Sequence, residues 1–183
     1  MAQPNGAMQR PGGGPAPRPA AERRPPRADP LAAVILLMAG AIGIWQLLLP
    51  WRTTTTASSG GSDPGNVSTT GWQVYRFLRA IPDPDGDLRV AMYSVLGVAV
   101  GGGALVVLGL TMLLPINHRP LGLAALLVSS LSVLGACWML IRARTIFDIG
   151  LFGLFAQAQL GWYLFLLAGL LGLIGSWKAL ATG

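Results

Sequence analysis

Hydrophobic and polar positions occur in long separate blocks along this chain. Four apolar stretches lie at residues 31–49, 90–114, 121–141 and 162–180, and the only ionisable side chain of Asp, Glu, Lys, Arg or His among them is Lys178. A helix needs about 20 apolar residues to cross the roughly 30 Å hydrocarbon core of a bilayer. The pattern therefore predicts an all-α membrane protein in which four transmembrane helices form an antiparallel bundle.

The segments between these stretches predict shorter elements. Residues 50–89 form the predicted outer loop, which begins with a Ser-, Thr- and Gly-rich part. Within it, residues 72–81 place Gln73, Arg76 and Arg79 on one helical face and apolar side chains on the rest, which predicts a short amphipathic extracytoplasmic helix. The apolar stretch at 146–159 is too short to cross twice and predicts an interfacial segment or a short helix against the bundle.

The N-terminal segment has a different composition from the rest of the chain. Residues 1–29 are rich in Pro, Gly and Arg and contain no aromatic residue, so we expect a disordered tail followed by a single transmembrane domain at 30–183. Asp29 followed by Pro30 is a favourable start for the first helix. The five tail arginines favour cytoplasmic N- and C-termini. They hold the tail inside or, alternatively, bind anionic lipid or an acidic partner.

Small and aromatic residues provide the candidate contact surfaces. Glycines that recur every three or four residues let transmembrane helices approach closely, either within this bundle or against another subunit. Aromatic residues concentrate near one predicted interface, which indicates a folded outer region or a docking surface. The candidates for packing or partner contact are Gly97, Gly101, Gly169, Gly172, Gly175, Trp72, Tyr75 and Trp162.

The charged residues give little support to catalysis. The acidic run at 83–87 resembles the start of a calcium loop, but Leu88 replaces its turn glycine, so a turn paired with an arginine is favoured. A second cluster, Arg142, Arg144 and Asp148, consists of interfacial anchors or recognises a lipid headgroup or partner. Metal or acid–base chemistry needs several titratable groups together in a cleft. The pattern thus predicts no catalytic, metal or cofactor site.

The order of segments resembles a known class of membrane protein. A Pro-rich tail and a helix precede Leu-Pro-Trp at 49–51, and a Ser/Thr/Gly loop then leads to Gly71-Trp72 and three further helices. This order resembles uncharacterised four-span envelope proteins of actinobacteria, and the topology is also similar to that of claudins. The resemblance implies a place in a bacterial inner membrane, as an accessory subunit of a large envelope assembly of the lipid-import or respiratory type.

These observations lead to one functional hypothesis and two alternatives. The first is a non-catalytic accessory subunit that binds other integral membrane subunits and membrane lipids through Gly-rich helix faces and an aromatic outer rim. The formal net charge of +6 does not indicate a nucleic-acid partner, because the arginines flank apolar spans. The second is a small oligomeric transporter or channel. The third is a membrane enzyme that uses the cluster of Arg142, Arg144 and Asp148.

Overall fold

The computed structural model describes residues 28–56 and 65–182, so the prediction of a disordered tail at 1–29 lies almost wholly outside the described residues. The described chain is mostly helical and contains one small antiparallel sheet. Its elements, in chain order, are α1 Pro30–Trp45, β1 Pro50–Thr56, β2 Gly65–Thr70, α2 Gly71–Ala80, α3 Gly86–Thr111, α4 Arg119–Ile141, α5 Ala143–Phe147, α6 Leu151–Gln157 and α7 Leu160–Thr182.

Three helices, α3, α4 and α7, are long and apolar enough to cross a membrane. Many of their exposed side chains are apolar, for example Val100, Leu131 and Ile174, which are 65 %, 69 % and 56 % exposed. Water would disfavour so much apolar surface, whereas lipid would not. The length and composition of these three helices, together with their apolar exposed surface, therefore indicate a membrane-embedded protein.

Helix α1 is shorter than the apolar stretch that contains it. It has 16 residues, which corresponds to about 24 Å at about 1.5 Å per residue and falls short of a full hydrocarbon core. The apolar stretch continues to Leu49, but after Trp45 the backbone forms tighter turns in which the Leu48 N–H donates to the Trp45 carbonyl at 2.9 Å. The predicted start is confirmed, because Asp29 Oδ1 accepts from the Ala32 N–H at 3.1 Å.

The long helices and α1 pack side by side through small residues. Helix α1 contacts α3 and α7, and α4 contacts the same two helices. Gly109 of α3 lies beside Ala33 of α1, and Gly102 lies beside Gly43. Residue numbers therefore rise along α1 as they fall along α3, so these two helices run in opposite directions.

The remaining elements form what we call the end layer, which consists of β1, β2, α2, α5 and α6. In this layer β1 contacts α7, α2 contacts α3, and α5 contacts α3 and α4, while β2 and α6 pack against other elements of the layer. The expectation of an irregular loop from residue 50 is wrong in part, because β1 and β2 pair in antiparallel register from Pro50 opposite Thr70 to Thr56 opposite Gly65. The Gln159 N–H donates to the Trp51 carbonyl at 2.9 Å, which ties the start of the sheet to the segment before α7. The tip of the predicted loop, at 57–64, lies outside the described residues.

The predicted amphipathic helix at 72–81 is confirmed as a helix, shifted by one residue, at Gly71–Ala80. Its N-terminus forms a capping box: Thr70 Oγ1 accepts from the Gln73 N–H at 3.3 Å, and Gln73 Oε1 accepts from the Thr70 N–H at 2.9 Å. Val74 and Leu78 are its buried apolar side chains, so one face of α2 packs inward. The short predicted element at 146–159 is also helical, as the end of α5 and as α6.

Replacing Thr70 by Ala should destabilise α2 locally by about 1 kcal/mol, because the first turn then loses a side-chain acceptor for its free N–H groups. Hydrogen exchange of the amides in α2 measures this directly. Thr70→Ser is the matched control, since it keeps the hydroxyl and should retain most of the protection. Equal exchange in the Ala and Ser variants would contradict the role assigned to the capping box.

Candidate functional site: a groove between α3 and α4

A groove of about 510 Å³ runs along the surface between α3 and α4. Its depth comes from Gly97, Gly101 and Gly135, which provide no side chains. A Cβ at Gly97 would meet no other atom within 4 Å, whereas a Cβ at Gly101 would approach Val128 Cγ1 to 3.0 Å. The lining residues are Val90, Tyr93, Ser94, Gly97, Val98, Gly101, Val128, Leu131, Ser132, Leu134, Gly135 and Trp138.

The groove is chemically apolar despite two serines. Ser94 Oγ donates to the Val90 carbonyl at 2.7 Å, and Ser132 Oγ donates to the Val128 carbonyl at 3.0 Å. Both hydroxyls are therefore satisfied within their own helices. The Trp138 Nε1–H is different, because it is buried and has no acceptor among the described residues. The groove thus offers a deep apolar surface, and one of its lining residues carries a buried donor with no acceptor among the described residues.

The other candidate glycines pack inside the molecule. A Cβ at Gly169 would approach Val133 Cγ2 to 2.8 Å, and one at Gly175 would approach Leu36 Cδ2 to 2.9 Å. Gly172 lies directly against Ser129 of α4. For these three glycines of α7 the alternative of packing within the molecule is correct. Gly97 is the candidate glycine that leaves open space beside the helix.

The aromatic candidates do not form one exposed rim. Trp162 is only 1 % exposed and packs in the core against Trp51 and Phe165, with ring centroids 5.3 and 5.6 Å away. Of the two alternatives for Trp162, packing within the molecule is therefore the one that its burial supports. Trp72 and Tyr75 contact each other on α2, with centroids 5.3 Å apart, and Trp72 is 45 % exposed.

Among the three charged candidates, Arg142 makes contacts with residues outside the group. Arg142 Nε lies 3.5 Å from Asp87 Oδ2, and its guanidinium lies 5.4 Å from the centre of the Trp138 ring. No ion pair joins any two of Arg142, Arg144 and Asp148, all of which the structure describes. Arg142 therefore ties the end of α4 to the start of α3. The roles of interfacial anchor and of headgroup or partner recognition stay predictions for these three residues.

The acidic run at 83–87 behaves as a turn in its described contacts. Asp83 Oδ1 accepts from Arg89 at 2.7 Å, and Arg89 Nε also donates to the Pro84 carbonyl at 2.9 Å. Asp83 has a positive φ of 47°, which suits a turn. Among residues 28–56 and 65–182, no three His, Cys, Asp or Glu side chains form a group that could hold a metal ion.

Two features of the structure have no counterpart in the sequence analysis. Gln46, inside the first apolar stretch, is fully buried, and neither its Oε1 nor its Nε2 has a partner among the described residues. A search for amide as well as ionisable side chains in apolar stretches would have found it. The second feature is a cavity of about 620 Å³ in the end layer, lined by residues of β1, β2, α2, α5 and α6 and by Trp162 of α7.

Comparisons with protein-family models, with curated proteins and with solved structures found no match to this chain. The resemblance to four-span envelope proteins accordingly stays a prediction. The functional argument rests on the geometry of the groove and of the end layer.

Proposed function

We propose that this protein is a non-catalytic accessory subunit of a larger membrane complex, and that the groove between α3 and α4 receives a transmembrane helix of another subunit. The observation that carries the proposal is the open space at Gly97 on an apolar, membrane-facing groove. Helices associate in lipid where small residues let backbones approach and make van der Waals contact. Gly97 and Gly101 stand four residues apart on one face and offer such a surface.

The chemistry of the groove defines the occupant. The walls are apolar and their hydroxyls are satisfied, so a charged or strongly polar segment would be left unpaired there. An apolar transmembrane helix that carries one hydroxyl or exposed carbonyl would fit the surface and accept from the Trp138 Nε1–H. A second copy of this chain would bring the same groove with another unpaired donor and no acceptor for the first one. It would therefore complement the groove less well than an apolar helix that carries an acceptor.

The sequence pattern supplies the membrane topology and the kind of complex in this proposal. Helix α1, with the turns that extend it to Leu49, crosses the membrane beside α3, α4 and α7, which gives an antiparallel bundle of four spans with both termini in the cytoplasm. The membrane is a bacterial inner membrane, and the complex is an envelope assembly of the lipid-import or respiratory type. The small oligomeric transporter or channel is the competing function, and it predicts self-association at the same surface.

Replacing Gly97 by Leu should abolish helix docking and leave the fold intact, because its Cβ meets no atom within 4 Å and the rest of the side chain can extend into the groove. The measurement is photo-crosslinking in intact membranes from an unnatural residue at Leu131, a 69 % exposed residue of the groove. We expect an adduct with a transmembrane segment of a different protein. In Gly97→Leu its yield should fall at least about tenfold, equivalent to about 1.4 kcal/mol of binding free energy.

Gly103→Leu is the matched control. Gly103 lies on the same helix, a Cβ there also meets no atom within 4 Å, and the residue does not line the groove. Its adduct yield should equal that of the wild type. An adduct with a second copy of this chain would favour the oligomeric transporter or channel, and equal loss in the Gly97 and Gly103 variants would contradict docking in the groove.

A further inference from the structure

We propose that the cavity in the end layer binds one zwitterionic phospholipid by its headgroup and an ester carbonyl. The cavity measures about 620 Å³, within the range of sites that hold small molecules. It shares no lining residue with the groove between α3 and α4, so this inference stands independently of the proposed function. Its lining residues are Trp51, Arg52, Val67, Ser68, Thr69, Gln73, Val74, Phe77, Leu78, Thr145, Ile146, Phe147, Asp148, Leu154 and Trp162.

The walls of the cavity suit an apolar chain at the membrane boundary. Val74, Leu78 and Ile146 come from α2 and α5, and Leu154 and Trp162 close the cavity from α6 and the first turn of α7. Since α7 is long and apolar enough to span a membrane, its first turn lies near the level where hydrocarbon meets headgroups. A lipid at that level presents acyl chains, ester groups and a headgroup to the protein at once.

Trp162 provides a donor for the ester group. Its side chain is 1 % exposed and lines the cavity, and its Nε1–H has no acceptor among the described residues. Buried indole N–H groups in folded proteins normally find an acceptor. A carbonyl oxygen is a neutral acceptor, so burying it needs no opposite charge. The ester carbonyl of a phospholipid is joined to an acyl chain, which the apolar walls of the cavity can accommodate.

Two opposite charges on the cavity wall account for the headgroup. Arg52 and Asp148 both line the cavity, and the described ion pairs do not join them. Arg52 Nε donates to Gln157 Oε1 at 2.7 Å, which fixes the guanidinium. Its other nitrogens have no hydrogen-bond partner among the described residues, and they are the donors that we assign to an anion. A phosphate for Arg52 and an ammonium for Asp148 occur together in a zwitterionic headgroup. A purely anionic headgroup would pair with Arg52 but would be repelled by the carboxylate of Asp148.

Native mass spectrometry of the full-length protein in detergent tests this assignment, with equimolar phosphatidylethanolamine and phosphatidylglycerol as probes. We expect one bound lipid per chain, with the zwitterionic lipid preferred. Asp148→Asn should reduce that preference about fivefold, the size of effect expected for one partly exposed charge pair. Asn also tolerates the positive φ of 55° at this position, so the variant changes charge and not the turn.

Asp85→Asn is the matched control, because Asp85 is exposed, makes no side-chain capping bond and lies outside the cavity. It should keep the wild-type preference. The ester contact is tested on the wild type by competition with an ether-linked phosphatidylethanolamine, which lacks the carbonyl and should bind more weakly. Equal binding of zwitterionic and anionic lipid, equal effects of the two Asn variants, or equal binding of ester and ether lipid would overturn the assignment.

Discussion

Replacing Gly102 by Ala should lower the free energy of unfolding by about 2 kcal/mol, although the substitution adds a single methyl group. A Cβ at Gly102 would lie 2.7 Å from the Gly40 carbonyl oxygen and 3.2 Å from both the Gly43 carbonyl carbon and the Ile44 N. All three neighbours are backbone atoms of α1, so no side-chain rotation can relieve the overlap. The two helices must separate and lose the contacts that their close approach provides.

The adjacent residue provides a matched control for this prediction. Gly103 lies one position further along α3, and a Cβ there would meet no atom within 4 Å. Gly103→Ala should therefore raise stability by about 0.5–1 kcal/mol through helix propensity alone. Reversible denaturant unfolding in detergent, followed by circular dichroism, gives both values. Two Ala variants of equal stability would contradict the close α1–α3 crossing.

The difference between Gly102 and Gly103 shows what the glycine pattern in the sequence could predict and what it could not. The spacing correctly predicted close helix packing, because small residues at three- and four-residue intervals share a helix face. It could not say which glycines meet a neighbour, since that depends on the rotation of each helix about its axis. Gly169 and Gly175 contact other helices, whereas Gly97 borders open space.

The end layer was the part that sequence described least well. Thr53–Thr56 is a run of β-branched residues, and this feature favours a strand, but the surrounding Ser and Gly residues favoured a loop. Pairing between β1 and β2 joins residues as far apart in sequence as Pro50 and Thr70, which local composition does not encode. In contrast, α2 was predictable, because both its periodicity and its capping residues are local.

The aromatic residues illustrate a related limit. Tryptophan suits a membrane interface and also fills a core, and composition does not distinguish the two. Trp51 is 2 % exposed and donates from Nε1 to the Gln46 carbonyl at 2.9 Å, so it belongs to the core. Trp72, on the same side of the chain, is half-exposed. The difference arises from which segments fold over each ring.

Replacing Gln46 by Met should raise the free energy of unfolding by about 1–2 kcal/mol, an unusual direction for a buried position. The Gln46 side chain is 0 % exposed, and its amide oxygen and nitrogen are both unpaired among the described residues. Leaving buried polar groups unsatisfied costs about 1–3 kcal/mol, and Met has a similar length without those groups. The backbone bond that Gln46 accepts from Trp51 is unaffected by the change.

Gln157→Met is the matched control with the opposite expected sign. Gln157 Oε1 accepts from Arg52 Nε at 2.7 Å, so removing the amide breaks a charge-assisted hydrogen bond and should lower stability by about 1 kcal/mol. The same unfolding assay in detergent measures both variants. If Gln46→Met instead destabilised the protein as Gln157→Met does, the Gln46 amide would have a partner in the folded molecule. A stabilising result would identify Gln46 as a position retained at a cost to the fold, as expected of residues selected for a role other than packing.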